Sequence, residues 1–424
     1  MVPRLRFPGF SKEWKSMLFG KAFDFQQTNT FSRNQMNTAK GKVGNIHYGD
    51  VLIKYDYVLS DISTVPFVNE DVGLNKYNRN SYLQNGDVVI ADTAEDLTAG
   101  KALEIQNVNC DILAGLHTML CRPNEQAAPG YWGYYINSPA YHNSIIPLIT
   151  GSKVSSISKF NIVKTSVVTT DFAEQQKIAD CLSSLDDLIA VEDKKLKALK
   201  AHKKSLMQKL FPAEGKTVPE IRFEGYTDAW KQQKLGEVAE LSSSKRIHVS
   251  DYVPEGIPFY RGSEISAGGV SQNGELFISE ELYNEIKEKY GVPIEGDLLI
   301  TAVGTLGNIW KVDDRRFYYK DGNLIRLSNL KIEADYLIAY FSDGQGKLKI
   351  LDSAAGSSQK ALTMVKLNQV PIFVPSLPEQ IAISTFFRNL DELITGQAKK
   401  IDALKLHKKG LMQGLFPSIE EVSE

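Results

Sequence analysis

The sequence predicts an α+β protein: two mixed α/β domains in pseudo-twofold tandem, separated by two long helices that form an antiparallel coiled coil. Three observations predict it. One long stretch occurs twice, each copy carries a heptad rhythm of apolar residues, and the regions outside the copies are rich in short strand-like runs.

The repeat comes first. Residues 174–212 read EQQKIADCLSSLDDLIAVEDKKLKALKAHKKSLMQKLFP, and residues 379–417 read EQIAISTFFRNLDELITGQAKKIDALKLHKKGLMQGLFP. They align without a gap, with about half of the positions identical. The first copy carries a ladder of Ile178, Leu182, Leu185, Ile189, Leu196, Leu199, Leu206 and Leu210. The second carries Ile383, Phe387, Leu390, Ile394, Ile401, Leu404, Leu411 and Leu415. This is a heptad seam, and its period requires a partner helix. Two rungs of each ladder are polar, Glu192/Gln397 and Lys203/Lys408. Polar rungs cost stability and can fix register.

The ends of the copies match as well. Asp171 before Glu174 and Ser376 before Glu379 have capping-box spacing. Both copies stop at Leu-Phe-Pro, because the residue before proline is pushed out of the α region. At ~1.5 Å per residue each helix is ~55 Å long. The globular segment between them has a radius of gyration of only ~15 Å. It returns the chain beside the end of the first helix, which makes the pair antiparallel.

The expected layout is a first domain over 1–173, a helix over 174–212, a second domain over 213–377, a helix over 378–417 and a tail over 418–424. Lead-in segments repeat too. Residues 5–20, LRFPGFSKEWKSMLFG, resemble residues 221–236, IRFEGYTDAWKQQKLG. Inside the domains, Asn85-Gly-Asp-Val-Val-Ile90 matches Glu295-Gly-Asp-Leu-Leu-Ile300, a Gly-Asp turn feeding an apolar strand. Residues 160–168 and 370–374 read as extended stretches before the helix caps. The helices stay alike while the domains differ, which suggests two equal docking surfaces and two different ligands.

The 424 residues, 42% hydrophobic and 24% charged, suit a soluble protein of two or three domains. No apolar run approaches the ~20 residues of a membrane span, and the first residues carry no signal-peptide core. A cytoplasmic chain with no membrane partner is expected. Cys110, Cys121 and Cys181 form no CxxC pair and are expected to be small core residues in a reducing compartment. The net charge of −2 is not that of a free-standing nucleic-acid binder.

No catalytic constellation is visible. None of the six histidines sits in HExxH, and no zinc spacing occurs. Gly215-Lys-Thr217 ends like a P-loop, but the position that needs its first glycine is Leu210. There is no Pro-Pro for an adenine-methylase motif and no G-x-G-x-x-G. Binding equipment is present instead. The first domain offers Arg33, Lys40, Lys42, His47, Tyr48 and Lys101. The second offers Lys245, Arg246, Tyr260, Arg261, Thr301, Thr305, Arg315 and Arg316. Cations neutralise phosphates, arginine grips guanine by two bonds, and neighbouring glycines let a backbone come close.

Twin helices opening Glu-Gln and closing Leu-Met-Gln-x-Leu-Phe-Pro, Arg-Phe-x-Gly-aromatic lead-ins and Gly-Asp turns together resemble the type I restriction–modification specificity subunits. The resemblance spans residues 1–417. It implies two target-recognition domains, each reading one half of a bipartite, asymmetric site in double-stranded DNA. The helices would space the half-sites and dock two methylase subunits, which bind S-adenosylmethionine and methylate adenine N6. Two motor–nuclease subunits using ATP and Mg²⁺ complete such complexes. The specificity chain itself binds no cofactor or metal and does no chemistry. Partner subunits around the DNA would supply the phosphate contacts that the acidic balance here withholds. The other reading is a scaffold, two ligand-binding domains on a coiled-coil spacer without nucleic acid.

Overall fold

A computed structural model describes residues 1–151, 153–266, 269–270, 276–354 and 360–418. They form two compact units, Met1–Asp193 with the chain from Lys399 on, and Lys194–Ala398. The four segments expected from the sequence thus fold as two units, because each long helix is divided between them. Of the expected tail only Ser418 falls among the described residues.

The first unit contains β1 (Lys15–Leu18), β2 (Phe23–Gln26), β3 (Gly44–Ile46), β4 (Val58–Leu59), β5 (Val88–Ala91), β6 (Ala102–Ile105), β7 (Ile112–Ala114), β8 (Thr118–Pro123) and β9 (Ser166–Thr169). Its main sheet runs β2-β8-β5-β6-β4, and β3 lies parallel to β7 in a second, smaller sheet. Strand β5 is buried along its whole length. Its side chains alternate between two cores, Val88 and Ile90 in one, Val89 and Ala91 in the other, as a pleated strand covered on both faces must. Helix α1 (Tyr131–Asn137) packs its aromatic rings on the first of these cores. Antiparallel β1 and β9 close the unit where helix α2 (Phe172–Leu210) begins. The extended stretch expected over 160–168 opens with one helical turn, Lys159–Ile162, which Ser158 caps. Cys121 is buried, but Cys110 is exposed and Cys181 half-buried, so only one cysteine is a full core residue.

The second unit repeats the plan. It contains β10 (Lys231–Lys234), β11 (Glu240–Ser242), β12 (Ile257–Tyr260), β13 (Leu298–Thr301), β14 (Ile309–Lys311), β15 (Tyr318–Tyr319), β16 (Leu324–Ser328) and β17 (Pro371–Val374). The sheet β11-β16-β13-β14 follows the order of β2-β8-β5-β6, and β12 runs parallel to β15 as β3 does to β7. Helix α3 (Glu280–Tyr290), helix α4 (Ala334–Ser342) and helix α5 (Leu377–Leu415) complete it, with β10 and β17 closing the unit.

The Gly-Asp turns explain themselves. Gly86 and Gly296 sit at φ 86° and 92°, which only glycine adopts cheaply. Each following aspartate is buried against an arginine of the neighbouring strand, Asp87 with Arg122 (2.7 Å) and Asp297 with Arg326 (2.6 Å).

The long helices pair antiparallel. In the first unit Lys408 bonds Asp186 and Lys400 bonds Glu192, so one number rises as the other falls. In the second unit Lys203 bonds Asp391, while Phe211 stacks on Phe387 at 5.9 Å. Every apolar rung expected in the two ladders is buried or half-buried. Among the polar rungs, Lys203 and Lys408 each meet the aspartate at the equivalent place in the facing helix, and Glu192 is held by Lys400.

The repeated helix ends do more than stop a helix. Met412, Leu415 and Phe416 belong to the core of the first unit, where Phe416 lies 5.9 Å from Tyr131 and 5.5 Å from Tyr135. Met207, Leu210 and Phe211 belong to the core of the second, Phe211 lying 5.4 Å from Tyr340. Each Leu-Phe-Pro plugs a domain. The lead-ins dock onto the same ends, Leu5 N–H donating to the Gly414 carbonyl (2.8 Å) and Ile221 N–H to that of Lys209 (3.0 Å). Their arginines grip the buried Glu of each Glu-Gln pair through two bonds, Arg6 on Glu174 (2.7 and 2.8 Å) and Arg222 on Glu379 (2.8 and 2.7 Å). The capping-box glutamates are thus taken by arginine. At the first helix Asp171 still accepts the Glu174 N–H.

Candidate nucleic-acid interface

Each unit carries a cluster of loops at one end of its sheet, and the two clusters share a backbone. Strand β3 leads into His47-Tyr48-Gly49-Asp50, where the Asp50 carboxylate accepts the His47 backbone N–H at 3.0 Å. Strand β12 leads into Arg261-Gly262-Ser263-Glu264, where Glu264 accepts the Arg261 N–H at 2.6 Å. A side-chain acceptor of this kind closes a turn that carries small residues. Gly115 N–H donates to the Ile46 carbonyl and Lys320 N–H to that of Tyr260, both at 2.8 Å. Past β5 and β13, the N–H groups of Asp92 and Ala302 donate to the carbonyls of His117 (3.1 Å) and Asn323 (2.8 Å). Strand registers then equate His47 with Arg261, Asp50 with Glu264, Asp92 with Ala302 and His117 with Asn323.

Asp50 and Glu264 are both buried, 3% and 6% exposed, and each holds a guanidinium. Arg33 reaches Asp50 with Nη1 and Nη2 at 3.0 and 2.8 Å. Arg261 reaches Glu264 with Nε and Nη2 at 3.0 and 2.5 Å. Burial alone would raise the Glu264 carboxyl, but the Arg261 guanidinium and N–H hold it below the usual glutamate range. A Cβ on Gly49 would lie 3.3 Å from Arg33 Nη2, so the glycine leaves the fork its room.

Around this anchor the first cluster adds rings. Tyr48 lies tilted against His47 at 4.5 Å and meets His117 edge-on at 5.5 Å. His117, at φ 53°, is exposed and bonds Thr93, which donates to Asp92. Lys40 and Lys42 are exposed near the preceding turn. His47 is buried, and its imidazole is held below its usual pKa by burial and then by Arg33. Lys101 is not a surface cation. Its ammonium donates to the Leu52 and Tyr55 carbonyls (3.1 and 2.8 Å), tying down the π-helical turn Asp50–Lys54, and burial lowers its pKa.

The second cluster is arranged differently. Tyr260 and Thr301 are buried, Thr301 bonding within its own loop to the Thr305 carbonyl, so these two side chains form the wall rather than the surface. Thr305 is exposed. Arg246 pairs with Asp321 (2.9 Å), Arg315 with Asp313 (2.7 Å) and Arg316 with Glu280 of α3. Arg315 also lies over Trp310 and Arg316 over Tyr283. Lys245 lies over Tyr290 at 5.5 Å, and its N–H donates to the Tyr318 hydroxyl. Sequence reading missed Asp50 and Glu264 as site residues, along with Asp92, Thr93, His117 and Asp321. A signal existed: an acid four residues beyond the last residue of a strand, with glycine or serine between.

The architecture is thus two mixed α/β domains with an antiparallel helix pair, each unit carrying an acid-closed loop cluster with an arginine. Residues 227–406 match the model of the type I restriction modification DNA specificity domain. The type I restriction enzyme MjaX specificity subunit of Methanocaldococcus jannaschii is 25% identical over 78% of this chain and 77% of its own length. The MjaVIII specificity subunit of the same organism is 22% identical over 63% of this chain and 64% of its own. The S.HindORF215P specificity subunit of Haemophilus influenzae is 31% identical over 38% of this chain and 41% of its own. The fold is shared with the type I S subunit of M. genitalium, over 99% of this chain and 100% of that one (TM-score 0.51, 16% identity). It is also shared with a chain from a structural study of assembly and conformational transition in the type I R-M system, over 98% and 99% (TM-score 0.62, 17% identity). The chain is thus similar over most of its length to type I restriction–modification specificity subunits, and residues 227–406 carry the match to their DNA specificity domain. Among the described residues no helix is long and apolar enough to cross a membrane, and no group of three or more side chains could hold a metal.

Proposed function

We propose that each unit reads one half of a bipartite, asymmetric sequence in double-stranded DNA through its loop cluster. In this reading the helix pair sets the spacing between the half-sites and docks two methylase subunits. Those subunits bind S-adenosylmethionine and methylate adenine N6, and two motor–nuclease subunits use ATP and Mg²⁺. This chain is the non-catalytic, cytoplasmic component that chooses where they act. One observation carries the reading. The same acid-closed loop backbone occurs in both units, while the side chains mounted on it differ. A shared frame with exchanged side chains suits two readers of different sequences.

Single-molecule sequencing of DNA from cells expressing the chain, with and without its methylase, tests this by scoring N6-methyladenine. A two-part motif with a fixed gap, present only with both proteins, is expected. No motif, from a methylase active with another specificity subunit, would favour the scaffold reading instead. Lengthening both helices by one heptad is expected to change the tolerated gap, and an unchanged gap would rule out the spacing role.

A further inference from the structure

We propose that Asp50 is the positioning residue for a guanine-reading arginine, Arg33, in the first unit. The inference rests on the DNA-reading function above and assigns one of its contacts.

The argument starts from charge. An arginine that neutralises a phosphate gains most when its own charge is uncompensated. Arg33 is coupled to a buried carboxylate. A phosphate brought to that guanidinium would also meet the carboxylate, so much of its attraction is cancelled. The hydrogen-bond donors are not cancelled. A neutral partner with two acceptors side by side gains nearly its full value, and in the major groove that partner is guanine, through O6 and N7.

Geometry supports the same partner. A guanidinium presents its donors in a rigid planar fork. Asp50 takes the Nη1–Nη2 edge of Arg33, which turns the Nε–Nη2 edge away from the carboxylate. The outward edge of Arg33 is a pair of parallel N–H groups. The arginine side chain is 48% exposed, whereas that of Asp50 is 5% exposed. The carboxylate is also held by the loop it closes. A bidentate grip by a buried acid removes the rotamer freedom that an exposed arginine would lose on binding a base. The register makes the acids equivalent, although the arginines come from different places. Arg33 comes from the segment well ahead of the strand Gly44–Ile46, and Arg261 is the first residue of its loop. The exposed Lys40 and Lys42 lack such an acid in their own turn and suit phosphates instead.

The test compares Arg33→Lys, Arg33→Ala and Asp50→Asn in the full chain, co-expressed with its methylase, by mapping methylated motifs and by binding to duplexes at several salt concentrations. At least one half-site of the wild-type motif is expected to contain a G·C pair. Arg33→Lys keeps the charge and loses the fork, so it is expected to cut discrimination at one G·C pair of one half-site by about tenfold to a hundredfold. The salt slope and the other half-site should stay unchanged. Asp50→Asn should relax the same pair to a smaller extent. Because Asp50 is buried, Gly49→Ala provides a second check: it crowds Arg33 Nη2 at ordinary backbone angles and should relax that pair too.

A motif without any G·C pair in either half-site would overturn the assignment. So would Arg33→Lys behaving as wild type while Arg33→Ala weakens all sequences alike and lowers the salt slope by about one, the signature of a phosphate contact. A wild-type chain that directs no motif would overturn the DNA-reading function first. A mapped motif that survives these variants unchanged would overturn only the guanine contact.

Discussion

The framework and the loop clusters diverge in opposite ways between the two halves of the chain. In the framework the same residues do the same work twice. Arg6 grips Glu174 as Arg222 grips Glu379, and Phe416 plugs one core as Phe211 plugs the other. In the clusters the backbone bonds recur while the side chains change: His47 becomes Arg261, His117 becomes Asn323 and Asp92 becomes Ala302. A buried ion pair or a core plug has one geometry that satisfies it, so substitution is expensive. A loop tip facing water has no such constraint, and its side chains are left to the ligand. The contrast therefore separates the residues that hold the domains from those that would tell two ligands apart.

The plugs should give the largest effect. Phe416→Ala and Phe211→Ala each remove a buried aromatic ring from a packed core, at a cost of roughly 4 kcal/mol. Denaturant unfolding with hydrogen exchange should show the first loosening residues 1–193 and the second residues 194–398. A loss confined to the helix ends would mean that Leu-Phe-Pro only stops the helix, and the equivalence would break. The clamps come next. Arg222→Ala leaves Glu379, 1% exposed, without its partner, and should cost about 3 kcal/mol. Arg6→Ala should cost a similar amount. Replacing Arg222 and Glu379 together by Met and Gln should recover much of the loss, since an uncompensated buried charge is the main penalty.

One rung sharpens the comparison by breaking it. Lys408 and Lys203 are equivalent and meet equivalent aspartates, yet their surroundings differ. Lys408 is buried over the rings of Tyr57 (4.6 Å) and Tyr134 (5.2 Å). Lys203 is half-buried, and its Asp391 is 54% exposed. Lys408→Ala should therefore cost about 2 kcal/mol, and Lys203→Ala no more than ~1 kcal/mol. Equal losses in thermal unfolding would show that the rung acts through the helix pair alone, without the tyrosines of the first domain.

Much of the framework was legible because its signals are periodic or repeated. Every apolar rung of the ladders is buried or half-buried, and Leu-Phe-Pro marked both helix ends. Arg6 and Glu174 stand in two repeated motifs, but nothing local says that they meet, because the contact closes over a long loop of chain. The loop clusters were legible only as composition. His47, Tyr260 and Thr301 read as loop residues beside glycine, yet mixed parallel and antiparallel pairing buries strand ends on both faces and takes their side chains inside. Lys101 read as a phosphate binder and instead satisfies two carbonyls of a π-helical turn that no pattern announces. The acids that close the loops were hidden for a different reason. An aspartate after Tyr-Gly looks like a solvated turn residue until the strand register shows a glutamate in the same place.

The smallest expected effect sets one loop position against its equivalent under mild acid. His47 and Arg261 occupy the same place, but only the histidine can titrate near neutrality. Burial, and then the neighbouring Arg33, hold the folded imidazole below its ordinary pKa, with Asp50 opposing them and His117 adding to them. The unfolded chain therefore takes up a proton at this residue before the folded one does. By linkage the stabilisation is complete above the ordinary histidine range and is lost as pH falls through that range toward the folded value. Hydrogen exchange between pH 7.5 and pH 5.5 should show the loop at 44–50 opening more readily at the lower pH, with no matching change at 257–264. His47→Gln should abolish the difference. If the 44–50 loop kept its protection at pH 5.5, the imidazole would be accepting its proton in place, and the buried wall of the first cluster would be as indifferent to pH as the arginine that replaces it in the second.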